Sequence, residues 1–136
     1  MDFGAKHPPH FHKLLAYLVR VPGIETNDTP WHGFGSGDLE RGGWWVKFTI
    51  NIEHPLSWNV VQEFAHVLNY LSVSERLPTV FKPVSPPPYM NGGPKEFLSW
   101  VIECSPELKP CTVADWLEGR LPRPVDDLTG WRTEYV

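Results

Sequence analysis

Residues Trp44 to Leu71 constrain the fold more than any other stretch, because a two-residue period runs straight into a helical one. Val46, Phe48, Ile50 and Ile52 alternate with Lys47, Thr49, Asn51 and Glu53, the pattern of a strand with one buried face. Pro55 then opens a predicted helix reaching about Val73. Its apolar residues Val60, Val61, Phe64, Val67, Leu68 and Leu71 share a single stripe. A strand feeding an amphipathic helix of this kind implies a sheet with helices laid on one side.

The rest of the chain adds to that unit. Pro8 and Pro9 suit a first helical turn, and Phe11, Leu14, Leu15, Leu18 and Val19 follow as one stripe, stopped by Pro22 and Gly23. Ile24 to Gly43 has glycine, proline, Asn and Asp without a period and reads as a long surface loop. Thr79 to Val84 is a short strand that Pro83 assigns to a sheet edge. Ser85 to Pro94 reads as a second long loop. Phe97 to Cys104 is the second convincing strand, with Leu98, Trp100, Ile102 and Cys104 on one face. Thr112 to Asp115 carries a capping-box-like helix start, with Val113, Trp116 and Leu117 apolar and Gly119 and Pro122 at its close. Arg123 to Val136 is polar and loop-like and is expected to wrap the surface. The expected architecture is an α+β two-layer sandwich: a small, mainly antiparallel sheet of about three strands with helices packed on one face.

A chain of 136 residues suits one domain over 1–136. Seven Trp promise an aromatic-rich core, and 15 Pro punctuate the periodic segments. The net charge of −4 disfavours nucleic acid, whose binding needs a basic face. No apolar run approaches the ~20 residues of a membrane span. The first twelve residues lack the pattern of a secretory signal, and Cys104 and Cys111 make no disulfide framework, so the expected location is the cytoplasm.

No constellation of residues matches a complete catalytic, metal or cofactor motif, and no cofactor is expected. His7, His10 and His12 are the densest cluster of imidazoles, but Pro8 and Pro9 break any common helical face and no acidic residue completes a ligand set. They read as a solvated N-terminal segment. Glu63 and His66 have the Glu-x-x-His spacing of carboxylate-bridged metal sites, yet a helix centred on Phe64 turns His66 to solvent. Gly33, Gly35 and Gly37 around Ser36 resemble a phosphate loop in composition only. They precede a strand and lack a following Lys-Ser or Lys-Thr, so they read as turn glycines with positive φ. Pro86-Pro87-Pro88-Tyr89 matches a WW-domain ligand pattern and equally a stiff loop. Cys104 reads as core, and Cys111 as structural despite its place at a helix start.

Trp44 and Trp45 must leave opposite faces of their strand. Trp44 goes inward, while Trp45 goes outward beside Lys47, where the long loop covers it or a partner does. If the two long loops meet over it, they display Trp31, His32, Asp38, Tyr89 and Asn91. These five with Trp45 are the candidate binding residues. The expected function is non-enzymatic binding, with a protein partner or a second copy of the chain and without nucleic acid or membrane. A small enzyme with a pocket formed by the 24–43 and 85–94 loops is the alternative.

Overall fold

The computed structural model describes residues 7–26, 33–71, 78–84, 97–124 and 128–131, with the side chains of Phe97 and Thr129 left aside. Within them lie four strands, β1 (Gly35–Asp38), β2 (Trp44–Asn51), β3 (Thr79–Pro83) and β4 (Phe97–Cys104), and three α-helices, α1 (His12–Leu18), α2 (Ser57–Ala65) and α3 (Pro110–Arg120). The strands form one antiparallel sheet in the order β1-β2-β4-β3. The fold is α+β with the helices packed on the sheet, as the sequence predicts, and with four strands rather than about three.

The extra strand is β1, inside the stretch read as a long loop. Its sequence Gly-Ser-Gly-Asp has too few side chains to display a period. The hairpin to β2 turns through Leu39 to Gly43, where the Leu39 N–H donates to the Gly43 carbonyl at 3.0 Å. Gly42 and Gly43 have φ of 88° and 101°, a region open to glycine. A Cβ on Gly43 would collide with the Cys104 carbonyl oxygen. Gly35 and Gly37 are not among the positive-φ glycines, which are Gly42 and Gly43 of this turn and Gly23 after α1.

The strand–helix unit lies where the periodicity puts it, but the strand stops at Asn51 and the helix starts at Ser57. Beyond Asn51 the backbone turns: Asn51 Oδ1 accepts from the Glu53 N–H at 3.0 Å, and His54 Nδ1 accepts from the Leu56 N–H at 3.1 Å. Ser57 Oγ donates to the Asn51 carbonyl at 2.5 Å, so α2 starts at Ser57 rather than Pro55. Its α-helical turns end at Ala65 and widen into a π-helical turn over His66–Tyr70. Helix α3 starts at Pro110, two residues before the Thr112 pattern, because proline occupies its first position. Among its residues Val113, Ala114 and Leu117 are buried, and Trp116 is half-buried.

The core lies between the helices and the inner sheet face of Trp44, Val46, Phe48, Ile50, Phe81, Trp100 and Ile102. Phe64, fully buried, is its hub: ring centroids lie 5.6 Å away at Phe81, 6.1 Å at Phe48 and 6.4 Å at both Tyr17 and Trp131. Phe81 stacks on Trp100 at 4.9 Å. Within the C-terminal segment, read as polar and loop-like, Arg123, Leu128 and Gly130 are exposed, while Trp131 is buried. A 3-10 turn over Leu128–Trp131 drops its ring into the core at 1% exposure, with Nε1 donating to the Arg123 carbonyl at 3.3 Å. On the outside, Lys13–Asp115 ties α1 to α3, and Arg20–Glu118 ties the turn after α1 to α3.

Candidate functional site

The cross-strand register decides which side chains meet on the outer sheet face. Residues directly opposite one another in an antiparallel ladder share a face. One row therefore runs Gly37–Trp45–Glu103–Val80, and the next Gly35–Lys47–Val101–Lys82. Trp45 is outward and half-buried, and Trp44 is inward and buried.

The Trp45 indole lies across β1. A Cβ on Gly37 would come within 2.8–2.9 Å of its Cζ2, Cε2 and Nε1 atoms, and one on Gly35 within 3.1 Å of Cζ3. The Gly-x-Gly spacing thus serves close approach: two glycines on one face of β1 form a bed for one indole. Such an aromatic laid over strand glycines shields the backbone and pins the register. On its other side Trp45 is opposite Glu103, whose carboxylate lies 3.0 Å from Lys82 Nζ and 3.6 Å from Arg41 Nη2. A depression of about 210 Å³ opens at this end of the sheet between Arg41 and Leu39 of the turn and Val80 of β3 with the preceding Pro78, lined also by Glu103 and Cys104. Burial pushes the Cys104 thiol up to about 11, so it is protonated at neutral pH and a poor nucleophile.

Asp38 is exposed and sits opposite Trp44, so its side chain leaves the face that Trp45 does not occupy. The two flank the same edge of the sheet from opposite sides. Trp31, His32, Tyr89 and Asn91 lie outside the described residues, as does the Pro86–Tyr89 motif.

His7 corrects the picture of a solvated N-terminal segment. It is 5% exposed, and its Nδ1 lies 2.7 Å from Ser36 Oγ, the hydroxyl on the inner side of β1. His12 Nε2 donates to the His7 carbonyl at 2.9 Å. The helix N-terminal region is thereby fastened to β1. An imidazole bonded to a hydroxyl is also the smallest unit that activates a serine. Among the described residues no group of three or more His, Cys, Asp or Glu is placed to hold a metal ion. His66 is exposed and stacks on Tyr70 at 5.4 Å. With Trp58 and Gln62 these two make an exposed row along the outside of α2 and its π-turn.

The sheet edge itself carries no side-chain signature, and sequence reasoning missed it. The available signal was Gly-x-Gly at a two-residue period followed by the Gly42-Gly43 turn and a strong strand, which is a hairpin pattern. Among the described residues, no helix is long and apolar enough to cross a membrane. No protein-family model matches the chain, and neither the curated proteins nor the solved structures yield a match.

Proposed function

We propose that this chain is a non-enzymatic protein-binding module of the cytoplasm, and that it binds through the β1–β2 hairpin side of its sheet. The observation that carries this reading is the half-buried Trp45 indole laid over a strand at the margin of the sheet, with the exposed Asp38 on the opposite face of the same strand. Tryptophan in such a position is the residue type that dominates binding energy in protein interfaces. The net negative charge favours a protein partner over nucleic acid. Free thiols at both Cys104 and Cys111 suit a reducing compartment.

The test is a photo-crosslinking amino acid introduced at Asp38 and, separately, at Lys82 on the other side of the sheet, in cells that make the protein. The expected result is a discrete crosslinked protein from position 38 and none from position 82. Crosslinking from 82 alone, or from neither position, overturns the reading.

A small enzyme is the second reading, and the 2.7 Å contact between His7 Nδ1 and Ser36 Oγ is what favours it. A serine activated in this way reacts with a fluorophosphonate probe. Absence of labelling that depends on Ser36 removes this alternative.

A further inference from the structure

We propose that the free edge of β1 receives one extended, basic segment of a protein partner as an added strand, with Trp45 covering the segment's residue that lies opposite Gly37. This rests on the binding reading above and names the chemistry of the partner.

The phase of the ladder sets which backbone groups are free. Leu39 and Gly43 are a hydrogen-bonded pair. Hydrogen-bonded and non-bonded pairs alternate along an antiparallel ladder. With Asp38 opposite Trp44 and Gly37 opposite Trp45, it is Gly37 and Gly35 that bond to β2. The N–H and C=O groups of Ser36 and Asp38 therefore point away from the sheet. Among the described residues nothing pairs with them.

The other margin of the sheet is treated differently. On β3 the outward groups of Phe81 are both taken by Asn69: its Nδ2 donates to the Phe81 carbonyl at 2.8 Å, and its Oδ1 accepts from the Phe81 N–H at 2.7 Å. Two residues on, Pro83 has no N–H to offer. Proteins blunt exposed edges in ways like these because an unpaired edge templates further strands. One edge of this sheet is blocked at Phe81 and Pro83, while among the described residues nothing pairs with the edge of β1. Strand addition is an established mode of peptide recognition, with backbone bonds for affinity and alternate side chains for specificity.

The side chains around β1 specify the guest. A guest residue opposite Asp38 lies beside an exposed carboxylate, with exposed Glu40 close in sequence, on a chain of net charge −4. Lys or Arg is complementary there. A guest residue opposite Gly37 meets no side chain on β1 and reaches the Trp45 indole, which suits an aliphatic group. A second copy of this chain is a poorer guest. It carries the same net negative charge and would set Asp38 near the acidic residues of its own copy.

The probes are three acetylated, amidated heptapeptides added to the ¹⁵N-labelled full chain. The first alternates Lys and Val, the second alternates Glu and Val, and the third is the Lys/Val peptide with every second amide N-methylated. The Lys/Val peptide is expected to slow exchange of the Ser36 and Asp38 amides and to shift the Trp45 indole N–H. Its affinity is expected to fall with added salt and about fivefold in Asp38→Asn. The Glu/Val peptide binds more weakly still, and the N-methylated one not at all. Equal binding of the N-methylated peptide, no shift at Ser36 and Asp38, or shifts confined to the Trp58–Tyr70 row overturns the proposal. So does protection of those two amides that grows with protein concentration in the absence of peptide, which would assign the edge to a second copy. If the peptides fail while crosslinking from position 38 still captures a protein, strand addition falls and the binding reading stands. If both fail, the binding reading falls as well.

Discussion

The Asn69 carboxamide and the backbone of Phe81 form a closed two-bond pair, with Nδ2 on the carbonyl at 2.8 Å and Oδ1 on the N–H at 2.7 Å. The side chain occupies the place of one residue of a neighbouring strand. It is delivered from the π-helical turn His66–Tyr70, which also lets Leu68 accept from Thr79 Oγ1 at 2.9 Å. Wide turns of this kind recur where a helix has a special task. Asn69→Ala is expected to cost about 1–3 kcal/mol, because both Phe81 groups lose their partner. It is also expected to make sedimentation concentration-dependent. A monomeric variant of unchanged stability would show that the pair neither holds β3 nor guards it.

Gly37 and Trp45 form a second coupled pair. Gly37→Ala puts a methyl into the indole and is expected to destabilise by about 1–3 kcal/mol. In a Trp45→Ala background the same change should cost little, since the obstructing ring is gone. Denaturant melts of the four proteins in the cycle measure that coupling. Additive losses would mean that the glycine matters for backbone freedom and not for the approach of the ring.

Phe64→Ala removes the hub on which Phe48, Phe81, Tyr17 and Trp131 converge, and a loss of about 3–5 kcal/mol is expected. His66→Ala, two residues on and exposed, should stay within about 0.5 kcal/mol. Equal shifts in the midpoint of urea unfolding would contradict the assignment of the buried face.

Trp131→Ala should be nearly as damaging as Phe64→Ala, about 3–5 kcal/mol, although the segment around it is polar and carries no periodic pattern. Thermal melts of this variant and of Leu128→Ala, whose side chain is exposed, separate core packing from a general effect of altering the segment.

Alkaline pH should weaken the fold through Tyr17. Burial first, and the nearby Glu118 carboxylate second, raise its phenol above the ordinary value of 10.0, with Arg20 opposing. The folded state thus holds the proton more tightly than the unfolded chain. The stabilisation is complete below about pH 10 and is lost as pH rises beyond it. Tyr17→Phe should flatten the decline in melting temperature between about pH 9 and 11. An unchanged decline assigns it to other groups.

Periodic segments are legible in the sequence alone. The alternation of Val46, Phe48 and Ile50 and the stripe through Phe64 each repeat often enough to outweigh local exceptions, and Pro83 marks an edge strand by chemistry alone. The same alternation turns Trp45 outward. The remainder of the candidate site depends on partners that leave no period. β1 has two residues without side chains, Asn69 acts on a backbone twelve positions away, His7 is buried with its imidazole on Ser36 of a distant strand, and Trp131 enters the core from one 3-10 turn. Such contacts follow from tertiary placement, and a window on the sequence contains only one side of each.

The unequal treatment of the two sheet margins sets a limit on growth. A sheet open on both sides can be lengthened without end, each newcomer presenting a fresh template. Among the described residues an arriving strand finds open backbone groups at β1, while Phe81 and Pro83 refuse one at the far side. Even two copies meeting edge to edge would form an assembly with both outer margins capped. The arrangement permits a single act of pairing and terminates the chain reaction that leads to fibrils.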